Sequence, residues 1–172
     1  MRTITPNHSP GSTFRIRNQF ILIAGVSGSG KSHYGEHLRT RYGYHFIPTD
    51  EHVDFIEEAI NSTHGLVARY LDKHSRVVVE WGFFPQYLEC VLALKAQGAR
   101  LLWFFTAEEA TARWAYCVKW CGDPFRLRLW EDQMERIRGA QLPTLDFQII
   151  ETFRDGSFRP YQELDEECLD AS

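Results

Sequence analysis

The sequence has no apolar run long enough to cross a membrane, no strong charge of either sign, and no cysteine spacing of a zinc site. Its longest uninterrupted apolar stretch, Phe20 to Val26, falls far short of the ~20 residues a membrane helix needs. No membrane partner is therefore expected. Residues 1–17 hold no continuous apolar segment of the kind a secretory leader carries, so a cytoplasmic protein is the expectation. The formal net charge is only -4, and the last twelve residues hold Glu163, Asp165, Glu166, Glu167 and Asp170 with no Lys or Arg. Without that segment, 19 basic and 18 acidic residues nearly balance, which argues against an extended non-specific DNA-binding surface and leaves room for a local basic groove. Of the four cysteines, only Cys117 and Cys121 are closely spaced, and no second pair stands near them. Reduced thiols in a reducing compartment fit better. His33 and His37 are four apart but lack the carboxylate that would make them a metal motif.

What is present suits one compact domain: 172 residues, 44% hydrophobic, with 5 Trp, 7 Tyr and 12 Phe. Residues 1–18 are polar and read as a loose arm. Phe20 to Gly25 is a continuous apolar run, the mark of a strand buried on both faces. Further strands are expected at 45–47, 77–80, 101–105 and 147–150. Helices are expected between them, at 31–42, from 53 to about 73 with Ser62 as an intervening cap, from Pro85 to Gly98, and after Thr106 and Asp123. Asp155-Gly156 is a turn signal, and the acidic tail, 161–172, has room for one short helix. Strand and helix alternate, which predicts an α/β fold with a parallel sheet and helices on both faces.

One motif dominates. Gly25-Val-Ser-Gly-Ser-Gly-Lys-Ser32 matches G-x-x-x-x-G-K-[ST] in full, follows the buried-strand pattern and opens a helix. Glycines at 25, 28 and 30 permit a loop whose N–H groups converge on an anion, and the helix dipole adds to the attraction. The expected phosphate-binding set is Gly25, Ser27, Gly28, Ser29, Gly30, Lys31, Ser32 and His33. Lys31 is expected to reach the β- and γ-phosphates and Ser32 to ligate Mg²⁺. No N-K-x-D guanine motif is present and no D-x-x-G follows the third strand, which argues against a GTPase switch. The chain is also short for a remodelling ATPase with its extra helical domain.

The phosphate loop followed by Thr49-Asp50-Glu51 resembles the small P-loop kinases: gluconate kinase, shikimate kinase, chloramphenicol phosphotransferase, the zeta-toxin kinases and polynucleotide kinase. The likeness spans about residues 20–151. It implies a five-stranded parallel sheet ordered 2-3-1-4-5, a kinase domain over about 19–160, a helical lid at about 113–130, and ATP with Mg²⁺. It further implies that Asp50 meets the acceptor hydroxyl and takes its proton, against the alternative that Asp50 or Glu51 merely caps the next helix. Glu80 stands where these kinases carry an Asp, with a role on Mg²⁺ or on the acceptor, or in a structural ion pair. Arg113 is expected to stack on adenine. Arg126 and Arg128 are expected to be lid arginines on the transferring phosphoryl group, with Lys119 nearby.

Trp81-Gly-Phe-Phe84 follows the third strand. Trp81 and Phe83 are candidates to stack on a base, or else belong to the core. The favoured acceptor is thus a hydroxyl of a nucleic acid or nucleoside, in the manner of polynucleotide kinase, with a hydroxymethylated base in DNA as a special case. The alternatives are a small hydroxylated metabolite or antibiotic, and a nucleotide-binding regulatory protein with no acceptor.

Overall fold

The computed structural model describes residues 19–82, 87–107, 109–119, 122–139 and 147–169. The arm at 1–18 and Phe83 lie outside them. The elements run β1 (Phe20–Gly25), α1 (Lys31–Tyr42), β2 (His45–Pro48), α2 (Val53–Asn61), α3 (Leu66–Lys73), β3 (Val77–Glu80), α4 (Leu88–Ala96), β4 (Arg100–Phe105), α5 (Glu109–Lys119), α6 (Pro124–Gly139), β5 (Gln148–Glu151), β6 (Phe153–Arg154), β7 (Ser157–Phe158) and α7 (Tyr161–Leu169).

β1 to β5 form one parallel sheet in the order β2-β3-β1-β4-β5. Every residue of the central β1 is buried, as its unbroken apolar run requires. Alternate side chains serve opposite faces. Phe20, Leu22 and Ala24 pack with Phe55, Leu66 and Val91 of α2, α3 and α4. Ile21 and Ile23 pack with Tyr34 and Leu38 of α1 and with Leu164 and Cys168 of α7. Each fully buried Ile or Leu contributes roughly 1.5–3 kcal/mol.

Local signals set the element ends. Gly43, at φ 71, closes α1: its N–H reaches the Arg39 carbonyl, and the Tyr44 N–H reaches that of Leu38. Asp123 Oδ1 accepts the Phe125 N–H at 2.9 Å just before α6, whose first residue is Pro124. Asp155 and Gly156 both have positive φ, 53° and 73°, and make the tight turn of the β6-β7 hairpin. Ser62 is the intervening cap, as the residue that closes α2, and Gly65, at φ 70, precedes α3.

The acidic tail is more than a solvated extension. Its helix, α7, buries Leu164, Cys168 and Leu169 against α1 and the sheet. Asp165 is itself buried, because it accepts hydrogen bonds from the Tyr34 and Tyr42 hydroxyls at 2.9 and 2.7 Å, with His37 Nε2 at 3.0 Å. No described helix is long and apolar enough to cross a membrane.

Candidate active site

The loop between β1 and α1 stands at the carboxyl end of the central strand, the edge at which parallel α/β sheets receive ligands. Two of its glycines are required by the surroundings as well as by the backbone. A Cβ at Gly28, φ 84, would collide with the Ala112 carbonyl oxygen of α5, and one at Gly30, φ 87, with the Phe158 ring of β7. Within the loop the Val26 carbonyl takes three donors: the Ser29 N–H at 3.2 Å, the Ser29 hydroxyl at 2.8 Å and the Lys31 ammonium at 2.9 Å. Lys31 is buried. Burial pulls its ammonium below the usual lysine range, while the carboxylates of Glu80 and Asp50 pull the other way and Lys119 adds to the lowering.

The strand ends supply the acids. β1 pairs with β3, bringing Glu80 to the edge, and the Ser32 hydroxyl donates to Glu80 Oε1 at 2.9 Å. β2 pairs with β3 in turn, and the Thr49 N–H donates to the Glu80 carbonyl at 3.1 Å, holding the next residue, Asp50, beside it. Asp50 is exposed to the cleft. The N-cap of α2 is His52, and no side chain caps that helix, so neither Asp50 nor Glu51 serves as its cap.

These groups converge on a cleft of about 990 Å³, whose lining includes Ser27, Lys31, Ser32, Asp50, Glu80 and Gly82. A second recess of about 390 Å³, toward β2, shares Ser32, Asp50, Glu80 and Lys119 with it. The opposite wall comes from α5 and α6. Their Ala112, Tyr116, Trp130 and Met134 form a small core of their own with Val26 of the loop. Arg126 reaches the cleft and lies against the Tyr116 hydroxyl. Burial raises the pKa of that phenol, and Arg126 opposes the rise. His33 lines the cleft and meets the Phe158 ring edge-on at 5.2 Å.

Three sequence expectations fall elsewhere. Trp81 is 3% exposed, stacked on Tyr87 at 5.7 Å and edge-on to Phe55, so it belongs to the core and is not placed to stack on a base. The reason is strand periodicity: Val77, Val79 and Trp81 share one face of β3, the face covered by α2 and α4. Arg113 is exposed, pairs with Glu131 at 3.3 Å and does not line the cleft. Arg128 is exposed and also outside the lining, because two residues apart on a helix means nearly opposite faces, and Arg126 takes the inner one.

Lys119, expected beside Arg126, lines the cleft with it, and Gln133 and Arg136 join them. Trp130 Nε1–H donates to the Ser27 carbonyl at 2.8 Å, and the Ser27 N–H donates to Gln133 Oε1 at 3.3 Å. Residues 126, 129, 133 and 136 are spaced as one stripe of a helix, so the arginine already singled out pointed to Gln133 and Arg136.

No family model matches this sequence, and no curated protein matches it closely enough to be a relative. Solved structures do. Shikimate kinase from Acinetobacter baumannii, in complex with shikimate, superposes with a TM-score of 0.60 at 17% identity, covering 90% of this chain and 95% of the other. A gluconokinase from Sinorhizobium meliloti 1021 superposes with a TM-score of 0.53 at 19% identity, covering 90% and 92%. The fold is that of the small P-loop kinases. Both chains are matched over nearly their whole length.

Proposed function

We propose that this protein is an ATP-dependent kinase that phosphorylates a hydroxyl of a small, compact metabolite. The observation that carries the reading is the convergence of Lys31, the Ser32–Glu80 pair and Asp50 on one cleft at the carboxyl edge of the sheet. The two structural neighbours are named as kinases of shikimate and of gluconate, both small hydroxylated acids. The nucleic-acid acceptor rested on Trp81 and Phe83 as stacking platforms, and a buried Trp81 removes the first of them. The small-metabolite alternative is the better supported one. Lys119, Arg126 and Arg136 in the cleft suit an acceptor that carries a carboxylate of its own.

The residues have distinct tasks. The loop N–H groups and Lys31 hold the phosphates, Lys31 leaving the Val26 carbonyl to do so. The acceptor hydroxyl donates to the Asp50 carboxylate, which holds its oxygen in line with the γ-phosphorus. As the new O–P bond forms and the bond to the ADP oxygen breaks, Asp50 takes the hydroxyl proton. Arg126, fixed against Tyr116, balances charge on the transferring group. His33 and Phe158 wall the cleft beside the loop. The Ser32 hydroxyl and the Glu80 carboxylate are hard oxygen donors side by side, which fits Mg²⁺, an ion that takes one or two protein oxygens and completes its shell with phosphates and water. Bound there, Mg²⁺ supplies neutralisation of phosphate charge. An ATP-consuming enzyme with free thiols at Cys90, Cys117 and Cys168 suits the cytosol.

The test is transfer of label from γ-labelled ATP with Mg²⁺ to a panel of sugar acids, carbocyclic acids, polyols and aminated antibiotics, with oligonucleotides and nucleosides alongside. Label on a small hydroxylated acid, lost in Lys31→Ala, is the expected result. Label on oligonucleotides alone overturns the metabolite reading. ATP bound with transfer to no acceptor points to a regulatory protein.

A further inference from the structure

We infer that Gln133 is the residue of α6 that recognises the terminal phosphoryl group of the nucleotide, an inference that rests on the kinase reading above. Three observations meet at this side chain. Its Oε1 accepts the Ser27 N–H at 3.3 Å, so it sits on a backbone donor of the phosphate loop itself. Its Nε2 comes to rest over Gly82, where even an added Cβ would stand 3.6 Å away, so its amide spans the gap between the loop and the end of β3. One turn earlier on the same helix, Trp130 Nε1–H holds the Ser27 carbonyl at 2.8 Å, and Trp130 and Met134 are buried with Val26. α6 is therefore docked on the loop by its own core, and Gln133 has a fixed position facing the phosphate nest.

An amide is suited to such a place. It carries an acceptor and two donors on one planar fork, and rotation about its last bond exchanges them. In this structure Oε1 occupies the Ser27 donor. A γ-phosphoryl group brings oxygens that compete for that N–H, and a rotated Gln133 then offers them its Nε2–H, keeping contact where a carboxylate would repel. A diphosphate lacks those oxygens. Gln133 is thus a specificity-determining contact that separates a triphosphate from its diphosphate product, and no covalent step passes through it.

The experiment is calorimetric titration of the full chain with two probes, the β,γ-imido analogue of ATP and ADP, each with Mg²⁺. In Gln133→Leu the analogue's affinity should fall about ten- to a hundredfold, the span of one hydrogen bond to a charged group, while ADP stays within about twofold. Gln133→Glu keeps an acceptor for the Ser27 N–H, and it should lose analogue affinity at least as far with ADP again spared, so the inference stands on this variant if the leucine variant fails to fold. Trp130→Phe, which removes the N–H that holds the Ser27 carbonyl, should affect both probes alike. Equal loss of both probes in the Gln133 variants overturns the inference and leaves Gln133 a brace of the loop, with the kinase reading intact. A wild-type chain that binds neither probe takes both down.

Discussion

The Ser32 hydroxyl and Glu80 Oε1, 2.9 Å apart, tie the first turn of α1 to the end of β3. Each comes from a different element, and the parallel pairing of β1 with β3 makes them neighbours. A glutamine at 80 keeps an oxygen for that hydroxyl and removes the charge. Glu80→Gln should therefore leave the melting temperature nearly unchanged while raising the Mg²⁺ concentration for half-maximal transfer about ten- to a hundredfold. Metal titrations of the transfer rate read this directly, and an unchanged Mg²⁺ requirement would reduce Glu80 to a structural partner of Ser32.

Asp50 stands free of any capping duty and faces the cleft. Asp50→Asn keeps its shape and removes the proton acceptor. The expected loss is in kcat, on the order of 10²–10⁴, with the KM for ATP little changed. Steady-state kinetics with the identified acceptor separate the two, and a loss confined to KM would make Asp50 a binding residue only.

Gly30 and Phe158 are pressed together, the ring lying where a Cβ at 30 would be. Gly30→Ala meets both that ring and a backbone at φ 87, and should destabilise the fold by about 1–3 kcal/mol. Adding Phe158→Ala should recover part of the loss, since it removes the collision and not the backbone strain. Chemical denaturation of the two single variants and the double variant measures that coupling. Strict additivity would show that the hairpin does not press on the loop.

His45 and His74 stack with centroids 3.7 Å apart and planes 6° from parallel. Burial, then the neighbouring His74 and His52, lower the pKa of His45 from its ordinary 6.5. The unfolded chain therefore takes up this proton at a higher pH than the folded one. The resulting stability is complete above about pH 6.5 and is lost as the pH falls through the folded value. Melting temperatures followed from about pH 7.5 to 5 should drop less in His45→Gln than in the wild type. Parallel curves would show that the stacked pair carries no pH dependence.

The phosphate loop, β1 and the alternation of elements were legible because each has a local signature: a full motif, an apolar run without gaps, turn residues at the ends. The strand order came from resemblance and was matched by the fold. What was not legible depended on which face a residue takes. Trp81 follows a carboxylate at the sheet edge, which suggests a ligand site, yet it continues the Val77, Val79 side of β3 and goes inward. Arg126 and Arg128 look equivalent in the sequence and point apart on the helix. In α7 the acidic residues obscured the inward Leu164 and Cys168, spaced i and i+4, and charge alone gave no hint that Asp165 has two tyrosine hydroxyls waiting for it.

That last contact joins residues 131 positions apart. During synthesis, β1 and the phosphate loop leave the ribosome early, but the cluster that α1 shares with the sheet is completed only when α7 follows. Until then Tyr34 lacks the carboxylate its hydroxyl meets, and its cluster lacks Leu164, Cys168 and Leu169. A nascent chain thus carries the complete motif before the last contacts behind its helix form, and those contacts are non-local.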